Sequence, residues 1–176
     1  VGFESGETIL MALQQDASPQ PGARVVIRSS SMMAHVGDAL LGRVIDAAGH
    51  PIDAQGPIFV ESVRDVRGTV GNPLDGGSVR KPFQTGVRVI DALMTLGRGQ
   101  RMMLAAGSGV GKSTLIRQMI DGAEADVVVV ALVGERNREI VDFVEATRAS
   151  DACRNTVTVA VPGDRSPLLR IRAAQR

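Results

Sequence analysis

The sequence predicts an α/β fold in which a parallel sheet is flanked by helices. From Met102 onward, three apolar segments of strand length alternate with three segments of helical periodicity. A glycine-rich loop separates the first of these strands from the first helix. Because consecutive parallel strands need a crossover, and a helix is the usual one, this alternation favours right-handed βαβ units.

Each element is predicted from its residue pattern. A fully apolar run, Val127 to Val133, is typical of a strand buried on both faces of a parallel sheet. Ser166 and Pro167 have the residue types of a helix cap and a first helical residue. The other predicted elements are strands at Met102 to Ala105 and Thr156 to Val161, and helices at Val89 to Leu96, Ser113 to about Asp121 and Asn137 to Ala149.

The segment before these elements has a different character. Short β-type runs at Thr8 to Leu13 and Arg24 to Ile27 are separated by the turn-forming residues 19–22. Two such strands are too few to close a sheet, so residues 1–30 are predicted to be the end of a small β domain. We expect an irregular connector over residues 31–85 and a nucleotide-binding domain over residues 86–176, both within a piece of a longer protein.

Composition excludes several classes of protein. Hydrophobic residues make up 44% and charged residues 22%, which is typical of a folded globular chain. The net charge of +1 gives no general attraction to nucleic acid or anionic membranes. A single cysteine, Cys153, cannot form an intramolecular disulfide, which favours the cytoplasm. The longest apolar run is far shorter than the roughly 20 residues of a membrane-spanning helix.

The glycine-rich loop, Ala106 to Ser113, fits the phosphate-binding P-loop, with Ala106 at the position of the usual first glycine. Its glycines allow successive backbone N–H groups to face a phosphate, and the following helix adds the positive end of its dipole. Lys112 is predicted to bridge the outer phosphates, and the Ser113 hydroxyl to ligate Mg²⁺. The predicted nucleotide-binding residues are Gly107, Ser108, Gly109, Val110, Gly111, Lys112, Ser113 and Thr114.

A second candidate site follows the strand that ends at Val133. Glu135 lies at the carboxyl end of this strand, where α/β sheets bind their ligands. A carboxylate there can hold a water molecule in line with the γ-phosphate, and Arg136 can steady charge or contact a neighbouring subunit. By spacing alone, Glu135 is equally compatible with an ordinary acid at a helix start.

Five arginines lie between Arg154 and Arg176, with few acids among them. The stretch is compatible with an RNA contact or with a solvated helix face. Because the chain has four Phe and no Trp or Tyr, it lacks the aromatic platforms typical of single-strand binding. We therefore expect no nucleic-acid partner.

Several motifs together resemble the ATPases of type III protein secretion and flagellar export, which belong to the superfamily of rotary ATP synthase catalytic subunits. Members of this group typically open the P-loop with alanine, glycine, serine and glycine, as at Ala106 to Gly109. The other matching stretches are Val36 to Asp46, Thr85 to Asp91, Gly97 to Arg101 and Gly134 to Glu139.

The resemblance implies a RecA-like P-loop ATPase domain preceded by the end of an amino-terminal β-barrel. It implies ATP and Mg²⁺ as ligands, with Lys112, Glu135 and Arg136 as catalytic residues and Glu135 activating the hydrolytic water. It also implies a cytoplasmic homohexamer at the inner face of the membrane. The expected partners are stalk and regulator proteins, cargo–chaperone complexes and a membrane export gate.

The same resemblance points to parts that this sequence lacks. The family has an apolar strand ending in a Mg²⁺-binding aspartate and an arginine supplied across the subunit boundary, and neither is found before Arg176. Asn137 stands where many relatives have glycine or threonine. The alternatives are a rotary synthase-type subunit, a Rho-like RNA translocase and a non-catalytic nucleotide-binding ring component. For the 176 residues alone, we expect weak nucleotide binding without appreciable hydrolysis.

Overall fold

A computed structural model describes residues 2–13, 19–26, 33–60, 62–66, 68, 71–75, 77–107 and 109–176. The first part of the chain forms two small antiparallel pairs. In the first pair, β1 (Gly2–Glu4) pairs with β2 (Glu7–Ile9). In the second, β3 (Met33–Val36) pairs with a later strand at Ser62–Asp65. Neither pair contains a large buried side chain among the described residues, so the core lies elsewhere.

The core surrounds a three-stranded parallel sheet. Its strands are β4 (Val44–Ile45), β8 (Val128–Val133) and β9 (Thr156–Val161), in the order β4-β9-β8. Numbered in chain order, the intervening strands are β5 (Ser62–Asp65), β6 (Pro82–Phe83) and β7 (Leu96–Gly97), of which β6 and β7 form an antiparallel pair. Central strand β9 pairs along its whole length with β8 and, at Thr158 and Val159, also with β4.

Helices cover both faces of β9. The chain forms α1 (Arg88–Leu93), α2 (Lys112–Gly122), α3 (Asn137–Arg148) and α4 (Pro167–Gln175). On one face, Val159 packs in a cluster with Ala173 and Leu169 of α4. On the other face, Ala160 packs in a cluster with Ile140 and Val144 of α3. Because strand side chains alternate between faces, all six residues of β9 are buried.

A short ion-paired loop secures β4. The Arg43 guanidinium donates to both carboxylate oxygens of Asp53, at 2.7 and 2.8 Å, and the Val44 N–H donates to the same carboxylate at 3.0 Å. These bonds hold the pKa of Asp53 well below its usual range, and the hydrogen bond from Arg43 has the largest effect. The Asp53 side chain has no exposed surface, so the pair anchors the edge of the sheet at β4.

The structure confirms the predicted α/β class and several element boundaries. Strand β9 has the predicted bounds, and Ser166 caps α4 with Pro167 as its first residue. The predicted helices at Ser113 and Asn137 are present as α2 and α3, with ends that differ by one residue. Differences of this size are normal at helix ends, where the last turn frays.

Other predicted elements are wrong. Met102 to Ala105 forms no strand, because it has no hydrogen-bonded neighbour among the described residues. The predicted helix from Val89 ends at Leu93, since Leu96 and Gly97 pair with β6 as strand β7. Strand β8 is not buried on both faces: Val129 is 66% exposed.

The predicted amino-terminal strands also differ from the structure. Of Thr8 to Leu13, only residues up to Ile9 belong to a strand, and Arg24 to Val26 form none. Ile27 lies outside the described residues. Strand β4 was not predicted at all, because two residues are too short for a periodicity signal. Among the described residues, no helix has the length and apolar composition to cross a bilayer.

Candidate functional site

The P-loop leads into α2 at its amino-terminal end. Gly109 and Gly111 have φ angles of 76° and 99°, a left-handed conformation that glycine adopts without strain. Gly111 is the residue before α2, so Lys112 and Ser113 occupy the first two helical positions. The unpaired N–H groups of this helix start make it suited to bind an anion.

Most of the predicted nucleotide-binding residues are open to solvent. Gly107, Gly109, Gly111, Ser113 and Thr114 are exposed, and Val110 is 68% exposed. Ser108 lies outside the described residues. A side-chain carbon added to any of the three loop glycines would meet no atom within 4 Å. The loop therefore leaves room for a ligand to approach its backbone.

The far end of α2 is packed against a turn that begins at Thr85. The Asp91 carboxylate accepts hydrogen bonds from the Thr85 N–H, the Thr85 hydroxyl and the Gly86 N–H, at 2.8, 2.8 and 3.0 Å. These bonds lower the pKa of Asp91. A side-chain carbon on Gly86 would lie 2.6 Å from the Cα atom of Gly122, the last residue of α2. The turn therefore fixes the position of α2 at its carboxyl-terminal end, opposite the P-loop.

Glu135 lies at the carboxyl end of β8, as predicted. Its backbone is held on both sides: the Gly134 N–H donates to the Val161 carbonyl at 2.9 Å, and the Gly163 N–H donates to the Glu135 carbonyl at 3.0 Å. Gly134 has a φ angle of 81°, which turns the chain sharply at the strand end. The end of β9 thus positions the residue that follows β8.

The structure brings Lys112 and Glu135 together across one cavity. The Lys112 Nζ atom lies 3.9 Å from the Glu135 Oε1 atom, and the two side chains are 41% and 39% exposed. The cavity has a volume of about 710 Å³, within the range of small-ligand sites. Its charged and hydroxyl-bearing lining residues are Lys112, Ser113, Glu135 and Glu139. The other lining residues are apolar and come from β6, the segment before the P-loop, α2, β8, the segment between α2 and β8, and α3.

The structure does not bring Arg136 into this cavity. Arg136 immediately precedes α3, is 84% exposed, and its Nη1 atom lies 3.5 Å from the Glu139 Oε1 atom. Glu139, in contrast, lines the cavity, although we did not predict it as a site residue. Sequence reasoning missed it because Glu139 lies in the first turn of α3, where an acid is common at any helix start.

The oxygen atoms that line the cavity suit Mg²⁺. They come from the Ser113 hydroxyl and from the Glu135 and Glu139 carboxylates, which are the hard donors that this ion prefers. Among the described residues, no three His, Cys, Asp or Glu side chains are placed to hold a metal by themselves. A Mg²⁺ ion that shares its coordination with phosphate oxygens and waters fits this donor set.

Together, the parallel sheet, the glycine loop at a helix start and the acid at a neighbouring strand end define the class of P-loop nucleotide-binding proteins. The model of the ATP synthase alpha/beta family, nucleotide-binding domain, matches residues 86–176, just over half of the chain. The chain belongs to this family.

The curated relatives that match the chain include flagellar and type 3 secretion proteins. The chain is 40% identical, over 99% of its length, to the flagellum-specific ATP synthase of Pseudomonas aeruginosa, and 43% identical over the same share to that of Salmonella typhimurium. It is 38% identical to the type 3 secretion system ATPase of Xanthomonas euvesicatoria, again over 99% of its length. The chain spans 39%, 40% and 39% of the lengths of these three relatives.

The solved structures that match the chain include ATPases of the type III secretion system. A prototypical ATPase from the type III secretion system of pathogenic bacteria matches 81% of this chain with a TM-score of 0.75 and 41% identity. The assembled ATPase EscN of enteropathogenic E. coli, in complex with its central stalk EscO, gives the same TM-score and identity over the same share. The match spans 41% of the first of these structures and 35% of the second.

Proposed function

We propose that the chain is the nucleotide-binding part of an ATP-hydrolysing motor subunit that drives type III protein secretion or flagellar export. The observation that carries the proposal is the placement of Lys112 and Glu135 on one cavity at the helix start and strand end. A cation for the outer phosphates and a carboxylate for the attacking water are two of the groups that position and stabilise phosphoryl transfer to water.

Each residue has a defined role in this proposal. Residues 107–114 bind the triphosphate, with Lys112 as the cationic clamp on the outer phosphates. Ser113 ligates Mg²⁺, which neutralises charge on the phosphate oxygens when it is bound. Glu135 accepts a hydrogen bond from the attacking water and orients it. Because Arg136 is 84% exposed and does not line the cavity, its proposed role is a contact with a neighbouring subunit rather than with ATP in the same chain.

The assembly is also a proposal. The relatives include an ATPase solved as an assembled particle and in complex with a central stalk, which supports a homohexamer that binds a stalk protein. The remaining proposed partners are regulator proteins, cargo–chaperone complexes and a membrane export gate, reached from the cytoplasmic face. No nucleic-acid partner is proposed.

The test uses a chimera, because the chain spans about two fifths of its curated relatives. Residues 1–176 replace the corresponding part of the Pseudomonas aeruginosa relative, and ATP hydrolysis is measured for the parent chimera and two variants. Lys112→Ala should remove hydrolysis together with tight nucleotide binding. Glu135→Gln should lower the hydrolysis rate by about 100-fold or more, because the carboxylate that orients the attacking water is lost. Nucleotide binding should persist in this variant.

Three results would contradict the proposal. Equal hydrolysis by the parent and Lys112→Ala would exclude the P-loop as the site of the reaction. Unchanged turnover in Glu135→Gln would favour the alternative of a non-catalytic ring component. RNA-stimulated hydrolysis by the parent chimera would instead favour an RNA translocase.

A further inference from the structure

An ion pair joins Lys112 and Glu135, the two groups that the proposed reaction uses separately. The Lys112 Nζ to Glu135 Oε1 distance of 3.9 Å is within ion-pair range but too long for a hydrogen bond. Both side chains are about two fifths exposed, so the pair is partly screened by water. An interaction of this kind is weak and readily exchanged for a stronger one.

A phosphate group would be the stronger partner for Lys112. Hydrogen bonds between an ammonium and a phosphate oxygen are short and charge-assisted, about 2.7–2.9 Å. The start of α2 and the glycine loop add favourable interactions with a phosphate that they cannot offer to the Glu135 carboxylate, which comes from the end of another strand. A triphosphate would therefore displace Glu135 from Lys112.

Little else in the site has to move for this exchange. The backbone around Glu135 is fixed by two hydrogen bonds to residues at the end of β9 and just after it, and Lys112 is fixed as the first residue of α2. The second acid on the cavity wall, Glu139, already has its own partner in Arg136. Release of the pair therefore requires only side-chain rotation of Lys112 and Glu135.

We propose that Lys112 holds the Glu135 carboxylate in the nucleotide-free site and that the triphosphate releases it to orient water. The inference rests on the proposed function, because it assigns nucleotide to Lys112. Its consequence is that Glu135 becomes available for water only after the phosphates are in place. The ion pair thus couples substrate binding to the assembly of the water-orienting site.

The sequence offers a direct test, because Lys81 and Lys112 are its only two lysines. Reductive methylation with ¹³C-formaldehyde labels both side chains and retains their positive charge, so NMR reports each lysine separately. The exposed Lys81 is the internal reference. The 176-residue chain is measured at fixed pH, without and with ATP, and with EDTA so that bound metal does not contribute.

The informative variant is Glu135→Gln, and Glu139→Gln is its matched control. Both remove one negative charge from the same cavity wall, but only Glu135 is paired with Lys112. Without ATP, Glu135→Gln should shift the Lys112 signal and leave Lys81 unchanged, while Glu139→Gln should leave both in place. With saturating ATP, the Lys112 signals of wild type and Glu135→Gln should coincide.

Metal-free ATP should also bind Glu135→Gln about two- to five-fold more tightly than wild type, the range that a partly exposed ion pair contributes.

Each contrary result has its own meaning. If ATP shifts Lys112 but Glu135→Gln does not, nucleotide binds as proposed and the ion pair is refuted. If Glu139→Gln shifts the Lys112 signal as much as Glu135→Gln does, the shift reflects a general effect of charge on the cavity wall and the specific ion pair is refuted. If ATP leaves the Lys112 signal of the wild type unchanged at concentrations that saturate the Pseudomonas aeruginosa relative, the release is refuted together with the proposed function.

Discussion

Strands β8 and β9 each have six residues and lie side by side in the sheet, but only β9 is buried along its whole length. Strand β9 lies between two partner strands and two helices, whereas β8 has a single partner strand among the described residues. The cavity that contains Lys112 and Glu135 opens beside β8. We call β4, β9, α3 and α4 the core side, and β8 with the P-loop the site side.

The buried core and the candidate site are therefore next to different strands of one small sheet. On the core side, apolar side chains from opposite faces of β9 pack into two clusters, so substitutions there remove packing. On the site side, apolar side chains such as Val129 remain exposed, and the charged groups face a cavity rather than a core. Substitutions on the two sides should therefore affect different measurements.

The largest expected effect is a loss of stability on the core side. Ile45 is 2% exposed in the cluster beneath α4, so Ile45→Ala should lower the free energy of unfolding by about 2–5 kcal/mol. Val129 on β8 is 66% exposed, so Val129→Ala should change it by less than about 0.5 kcal/mol. Urea denaturation measures both. Equal losses in the two variants would remove the distinction between the sides.

The next effect concerns binding on the site side. Lys112→Ala should weaken nucleotide binding by about tenfold or more, because a charge-assisted contact to phosphate is lost. Its unfolding free energy should stay within about 0.5 kcal/mol of wild type, since the side chain is 41% exposed. Fluorescent-nucleotide titration and urea denaturation measure the two properties, with Lys81→Ala as the control for loss of a lysine charge. A Lys112→Ala chain that unfolds at lower urea would mean that the site also supports the fold.

A pH-dependent effect is expected from the loop that secures β4. The pKa of Asp53 is lowered in the folded chain, so the unfolded chain takes up this proton first as the pH falls. The stabilisation by Asp53 is therefore complete above the ordinary aspartate pKa of about 3.9 and is lost progressively at lower pH. At pH 7, the urea midpoint of wild type should be higher than that of Asp53→Asn. The difference between the two midpoints should become smaller as the pH falls below about 4.

The control for this experiment is Asp126→Asn, because Asp126 is exposed. Its urea midpoint should follow that of wild type at every pH. A gap between wild type and Asp53→Asn that stays constant down to pH 2 would show that the Arg43 pair does not respond to protonation.

The smallest expected effect concerns the helix that covers one face of β9. The Leu169 N–H donates to the Ser166 hydroxyl at 3.4 Å at the start of α4. Ser166→Ala should therefore cost about 1 kcal/mol of stability, whereas Ser166→Asp, which keeps a capping oxygen, should cost less. Thermal unfolding of the two variants measures the difference. Nucleotide binding should be unchanged in both, and weaker binding in Ser166→Ala would link α4 to the site.

Much of the candidate site follows from sequence alone. The glycine pattern predicts a loop suited to bind an anion, because these backbone angles and the following helix start depend on local residues. The position of Glu135 follows from the apolar run that ends at Val133, and the cap of α4 follows from Ser166 and Pro167. Strand β9 was predicted with its observed bounds for the same reason, as its β-branched residues make a clear local signal.

Features that depend on residues far apart in the chain did not follow from local patterns. Val44 and Ile45 became a strand because β9, more than a hundred residues later, supplies their ladder, whereas Met102 to Ala105 has no described partner and stays irregular. The approach of Lys112 to Glu135 and the exposure of Arg136 likewise depend on how α2, β8 and α3 pack. Local patterns determine backbone conformation and side-chain chemistry, but pairing and distance are set by packing between distant segments, which no short stretch of sequence contains.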